Sequence, residues 1–251
     1  MVTFALAVNR VSLDAEANLN VMVRMAQTAA DGGADVILFP EAALTGLINN
    51  DDPTHDWPLG QPVPGPATEV FAAVARARQV WLGFGLLERD GARLYDTAVL
   101  LSPTGEIALK YRRISPGWHG RRADPAVYAH GIDISAVQTP WGKAAFLLCG
   151  DLFDDNLVQQ VRMLELDWLL FPFARGFDDG TWDQARWEHY ELHKYAARVR
   201  VTGVTMLLVN YLCGDDLRDD GTFGGAWVIS GIGEVLAQQP LGQDGLLLVT
   251  L

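Results

Sequence analysis

Cysteine is scarce in this sequence. Two thiols, Cys149 and Cys213, in 251 residues are too few to staple a fold of this length. Positive charge is also short: 19 Lys and Arg stand against 31 Asp and Glu, a net charge of −12. Such a surface repels nucleic acid and anionic membranes. The most basic patch, YRRISPGWHGRR (residues 111–122), is brief. No apolar run reaches the roughly 18 residues that a membrane span needs. The opening MVTFALAVNR lacks the basic start and small-residue cleavage site of a signal peptide, and reads as a strand. No linker, internal repeat or low-complexity segment divides the chain. These absences point to one soluble domain over residues 1–251. It is expected in the cytoplasm, with a small molecule as partner and neither nucleic acid nor membrane.

What is present is a chain 49% hydrophobic, in which short apolar runs alternate with helical patterns. Strands are predicted over 3–8, 35–41, 80–88, 94–102, 106–111, 133–139, 143–149, 167–173, 204–210, 224–230, 233–239 and 245–251. Helices are predicted over 14–33, 67–79, 155–166 and 181–202. Residues 49–66 and 112–131 read as long loops, which in compact domains are often functional. Alternation early and hairpins later give a layered α/β or α+β fold.

Three apolar strands end on a side chain capable of chemistry: DVILFPE on Glu41, EIALK on Lys110 and AAFLLC on Cys149. Strand ends are where sites collect in such folds, because loops open there while the sheet holds the residues still. A carboxyl, an ammonium and a thiol suit acyl transfer. A thiol with a free pKa of about 8.5 needs a cation to favour the thiolate and a base to take its proton. Taken singly, each has a plainer reading: a packed cysteine, a solvated lysine, a loop acid.

The flanks of these residues resemble the nitrilase, or carbon–nitrogen hydrolase, superfamily, in its amidase-like branch. ILFPEAALTG, GEIALKYRRI and LLCGDLFDD resemble its three motifs. LDWLLFPFA, YAARVRVTGVTMLLVN and GGAWVISGIGEVLA continue the likeness in order. The resemblance implies a four-layer αββα sandwich that pairs as a homodimer, with sheets stacking across the interface. It implies a Glu41–Lys110–Cys149 triad that cleaves a small amide, ω-amide, N-carbamoyl group or nitrile through a thioester, with no metal or organic cofactor. Lys110 and the N–H of Gly150 would receive the oxyanion. The family's second glutamate is matched by Asp124, counted back from Gly131. The aromatic residue that often follows the cysteine is here Gly150, which implies a wider pocket floor. Trp118, His119, Arg175 and Phe177 are candidates to line the cleft, and Arg175 could grip a substrate carboxylate.

Other chemistries have weaker support. A Cys–His hydrolase would need His55, His119 or His130 to reach Cys149, without the flanks such enzymes show. His189 and His193 lie one helical turn apart in HYELH, but the spacing of a zinc-protease motif is missing. Cys213 reads as an inert thiol. A non-catalytic binding protein on the same fold is the remaining alternative.

Overall fold

Thr3–Val8 forms the first strand, β1, and its alternation sets the layers. Phe4, Leu6 and Val8 join the core shared by two sheets, while Ala5 and Ala7 pack with the residues of two helices. The structure is a computed structural model that describes residues 1–47 and 50–251, without the side chains of residues 218–220. Asn49, the first residue of an expected loop, lies outside it.

The chain continues through β2 (Arg10–Val11), α1 (Ala15–Asp31), β3 (Val36–Leu38), α2 (Pro53–Leu59), α3 (Pro66–Arg78), β4 (Trp81–Asp90), β5 (Arg93–Leu101) and β6 (Ile107–Arg112). Then come β7 (Ala136–Thr139), β8 (Gly142–Phe146), α4 (Asp155–Met163), β9 (Trp168–Phe173), α5 (Gln184–Arg186) and α6 (Leu192–Thr202). The last strands are β10 (Thr205–Asn210), β11 (Leu212–Cys213), β12 (Ala226–Ile229), β13 (Val235–Gln239) and β14 (Gly245–Thr250).

One sheet has the order β14-β1-β3-β4-β5-β6 and the other β13-β12-β10-β9-β8-β7. Read from β14 and from β7, both show the same pairing: antiparallel, parallel, parallel, antiparallel, antiparallel. Met22, Ala26 and Ala29 of α1 and Phe71, Ala72 and Ala75 of α3 cover the first sheet. On β9, Trp168 meets Phe4 of the first sheet, whereas Phe171 and Phe173 meet Tyr195 of α6. Successive side chains point to opposite faces, so these contacts place helix, sheet, sheet and helix in four layers, as the resemblance implies.

Local departures have physical causes. The expected loop 49–66 contains α2, because Asp52 caps its first turn and Pro53 suits a position whose N–H needs no partner. The expected helix 181–202 is interrupted at Trp187–Glu191 by a wide π turn. A π turn takes in one extra residue. Trp187 and Tyr195, eight apart in sequence, therefore share a face, with ring centroids 5.2 Å apart. The expected strand 143–149 ends at Phe146, and Cys149 opens a 3₁₀ turn to Phe153.

Glu41 lies just past β3, in a turn pressed against β4. Gly85 N–H donates to Pro40 O (3.1 Å), and Leu44 N–H donates to Gly85 O (3.4 Å). A methyl group on Gly85 would lie 2.5 Å from Ala42 N and 2.7 Å from Glu41 Cα. Overpacking of this kind costs about 1–3 kcal/mol. Gly85→Ala should therefore lower the urea midpoint. A midpoint equal to wild type would contradict the close approach.

Candidate active site

Cys149 sits where the chain leaves β8, at φ +43°. A residue with a Cβ rarely adopts this left-handed conformation, and holding it there costs about 1–3 kcal/mol. The clamp is Asp151, a buried side chain two residues on. It accepts from Leu148 N (3.0 Å), Ser115 N (2.7 Å), Ile114 N (3.2 Å) and the Tyr111 hydroxyl (2.7 Å). One carboxyl thus ties the cysteine turn of the second sheet to the end of β6 in the first. The Cys149 thiol donates to Ala174 O at 3.6 Å, at the end of β9.

Glu41 is completely buried, near enough to Cys149 for the thiol to act on its charge. Arg113 Nη1 donates to its Oε1 at 3.0 Å. Burial, and next the proximity of Cys149, push the Glu41 pKa up from 4.5 to about 8, against the pull of Arg113. Arg113 is itself buried. Its Nε donates to Ser115 Oγ (3.1 Å) and its Nη2 to Pro116 O (3.3 Å). Across the ladder, where Arg113 N–H meets Asp96 O, the Asp96 carboxyl lies 3.7 Å from Arg113 Nη1. Burial, and then Glu41, hold Asp96 well above the usual carboxylate range.

The structure brings Glu41 and Cys149 together and leaves Lys110 out. Leu109, Tyr111 and Arg113 turn inward along β6 while Lys110 and Arg112 turn to the other face. There Lys110 Nζ donates to Glu88 at 2.8 Å, and Arg112 grips the same carboxyl at 2.8 and 2.7 Å. Thr97 adds a further donor to Glu88 at 2.7 Å. Those hydrogen bonds hold Glu88 below its usual range despite the opposing, larger effect of burial. The cation beside Glu41 is therefore Arg113, three residues after Lys110. An odd separation on a strand reverses the face.

Asp124 also departs from expectation. It is exposed, and its carboxyl closes a local turn by accepting from Ala126 N (2.8 Å). Gly150 does not widen the floor, because a Cβ there would lie 2.5 Å from Arg113 Nη2 and 2.9 Å from Ser115 Oγ. The guanidinium occupies that space. Trp118 is buried with Leu87, Leu94 and Tyr128, and Phe177 is buried against Phe223, so both pack the interior. His119 Nδ1 is 3.0 Å from Gly120 O, and its Nε2 is 3.2 Å from His130 Nε2. Arg175 follows Ala174, the acceptor of the Cys149 thiol, but its guanidinium lies 3.7 Å from Glu191, which competes for any substrate carboxylate. Among the described residues, no group of three or more His, Cys, Asp or Glu is placed to hold a metal ion.

Three residues of this site escaped the sequence reading: Arg113, Asp96 and Asp151. Period-two counting back from Arg113 through Tyr111 to Leu109 was the one available signal for the first. Asp96 and Asp151 read as ordinary polar residues near strand ends.

A family model described as carbon–nitrogen hydrolase matches residues 5–251. An aliphatic nitrilase from Sinorhizobium fredii is 32% identical over 54% of this chain and 48% of its own. A formamidase from Bacillus cereus is 38% identical over 34% of this chain and 25% of its own. The matched stretches thus span half or less of these relatives. A solved amidase from Nesterenkonia sp. AN1, carrying acrylamide on its active-site cysteine, superposes with a TM-score of 0.81 at 22% identity, over 100% of this chain and 93% of that one. A carbon–nitrogen hydrolase from Helicobacter pylori G27 gives 0.84 at 17% identity, over 98% and 87% of the two chains.

Iodoacetamide reactivity separates the two cations. Arg113→Ala should slow alkylation of Cys149 markedly, and Lys110→Ala should leave it near wild type; the reverse order would restore Lys110 to the site. Stability provides an independent check on Glu41. Its folded pKa of about 8 lies above the ordinary 4.5, so the folded chain keeps a proton that the unfolded chain releases. That contribution is full below about pH 4.5 and is lost as pH rises through about 8. Urea midpoints should fall across this window, and Glu41→Gln should flatten the fall.

Proposed function

The chain belongs to the carbon–nitrogen hydrolase family of the nitrilase superfamily and has the fold of its amidase-like members; from that premise we propose that it hydrolyses a small amide through a thioester on Cys149. The observation that carries this reading is a buried Glu41 carboxyl, held by Arg113 at 3.0 Å, beside a thiol set at a left-handed turn. Glu41 takes the thiol proton, and the sulfur attacks the carbonyl carbon. The tetrahedral oxyanion is received by the Arg113 guanidinium, which takes the part the resemblance gives to Lys110, and by the backbone N–H of Gly150. Glu41 returns the proton to the departing ammonia or amine as the C–N bond breaks. Water, deprotonated by Glu41, then cleaves the thioester and releases the carboxylic acid. A nitrile is the alternative substrate for the same residues.

Arginine suits an oxyanion differently from lysine. Its charge is permanent and spread over a planar fork of five N–H groups, three of which here bind Ser115, Glu41 and Pro116. This replacement also favours a second reading, a non-catalytic binding protein on the same fold. We propose in addition that the protein is a homodimer. Phe153, Met163, Tyr190 and Val201, in and around the helix layer of α4 and α6, are exposed apolar side chains that such pairing would cover. No described helix is long and apolar enough to cross a membrane. A cytoplasmic location remains our proposal.

Ammonia release should be screened over aliphatic amides, ω-amides, nitriles and N-carbamoyl amino acids. With a competent substrate, intact mass spectrometry after acid quench should show an acyl adduct on the wild type. Cys149→Ser should remove both adduct and turnover, since an alcohol is far less acidic than a thiol. The rate of acylation should climb with pH toward about 8 as Glu41 ionises. An adduct that persists in Cys149→Ser would remove Cys149 from the mechanism. Failure of all four substrate classes, with Cys149 still open to alkylation, would favour the binding protein. Light scattering that gives a monomer at high protein concentration would overturn the dimer.

A further inference from the structure

We propose that Ser115 is a positioning residue: its hydroxyl fixes the plane of the Arg113 guanidinium, so that one N–H of Nη2 faces the cysteine turn throughout turnover. The proposal deepens the hydrolase reading and rests on it for its catalytic meaning. Ser115 is buried and joined to both halves of the site. Its N–H donates to Asp151 (2.7 Å), the carboxyl that clamps the Cys149 turn. Its Oγ accepts from Arg113 Nε (3.1 Å). A Cβ on Gly150 would lie 2.9 Å from the same Oγ, so the hydroxyl stands against the residue after the nucleophile.

A count of donors shows what the hydroxyl decides. A guanidinium is flat and carries five N–H groups. Three are engaged: Nε with Ser115 Oγ, Nη1 with Glu41 Oε1 (3.0 Å) and Nη2 with Pro116 O (3.3 Å). One N–H is left on each Nη. Nη2 is the one beside the nucleophile turn, because a Cβ on Gly150 would lie 2.5 Å from it. Its remaining N–H and the N–H of Gly150 are the two donors for an oxyanion. Nε stands at the root of the fork. A bond there fixes the plane in which both Nη groups lie.

The acids cannot hold that plane alone. Glu41 and Asp96 both meet the fork at Nη1, at 3.0 and 3.7 Å. Burial, and next Cys149, push Glu41 up to about 8, and in the proposed reaction it takes a proton and gives it back. Asp96 is held well above the usual carboxylate range by burial and then by Glu41. A carboxylate that gains a proton loses the charge-assisted part of its hydrogen bond, about half the strength. Ser115 Oγ and Pro116 O are neutral oxygens, and neither changes charge during the reaction. They keep the guanidinium in place while Glu41 is protonated. Pro116 O belongs to the main chain, which leaves Ser115 as the side chain on which the orientation depends.

Ser115→Ala keeps the N–H that binds Asp151 and removes only the acceptor, which leaves a buried Arg113 N–H unpaired. With a competent substrate, kcat should fall about tenfold or more, with KM changed much less. Alkylation of Cys149 by iodoacetamide at neutral pH should slow, part of the way to Arg113→Ala. Ser115→Thr keeps the hydroxyl and should recover both rates to within about threefold of wild type, whereas Ser115→Val, of similar shape without the hydroxyl, should not. A role in packing alone would treat Thr and Val alike. Rates for Ser115→Ala that match wild type, or Thr and Val variants that behave alike, would overturn the proposal. If Ser115→Ala does not fold, the Thr and Val pair decides the matter. Alkylation needs no substrate. Slowed alkylation in Ser115→Ala, restored by Thr, without hydrolysis by the wild type therefore refutes the hydrolase reading alone. Hydrolysis with kcat and alkylation unmoved in Ser115→Ala refutes the Ser115 proposal alone.

Discussion

Everything at the candidate site depends on the four hydrogen bonds that Asp151 accepts. The two sheets also meet through apolar side chains, such as Phe4 against Trp168, and through the short β2–β11 pair, where Leu212 N–H donates to Asn9 O at 3.0 Å. At the site itself the Asp151 carboxyl sets the geometry, because each donor is short and directional. It binds the N–H groups of Ile114 and Ser115, so the chain leaving β6 must turn there. It binds Leu148 N–H, so the chain leaving β8 must turn there too. Arg113 and Cys149 are the residues next to those two anchors. The strain at Cys149 is tolerable because the anchors over-determine the turn.

Within that frame, Arg113, Gly150 and Asp96 form a set. A guanidinium is larger than an ammonium, and the volume it takes beside the cysteine is the volume a side chain at position 150 would need. Glycine there is a packing requirement, not an opening in the pocket. Size is one half of the adjustment and charge is the other. Asp96, directly across the ladder from Arg113, supplies the second carboxyl. A side chain at position 150 would collide with the guanidinium, 2.5 Å from Arg113 Nη2.

The sequence made some of this legible and hid the rest for identifiable reasons. Most strands declared themselves as short apolar runs, and their order matched a family. Glu41 and Cys149 were visible because each follows a run with no other polar residue. Lys110 was equally conspicuous for the same reason, and misleading, because conspicuousness says nothing of which face a side chain takes. The parity of β6 carries that information: Lys110 and Arg113 cannot share a face. Asp96 was hidden in LYDTAVLL, where one polar residue in an apolar strand marks no particular partner. The π turn at Trp187–Glu191 left no pattern to count, since it exists to bring two aromatic rings together.

β6 separates two electrostatic tasks between its faces. Outward, Lys110 and Arg112 meet Glu88, whose ionised form is fully supplied with donors. That face gains cohesion at the rim of the sheet and nothing there needs to change charge. Inward, one cation faces two carboxyls that are short of donors, and burial holds both above the usual carboxylate range. The cation of that inner set stays charged across the accessible pH range. Any response of the site to pH must then come from its acids and its thiol. In a site built around lysine, the cation could share in that response. Here the guanidinium fixes the field in which the proposed exchange between Glu41 and Cys149 would take place.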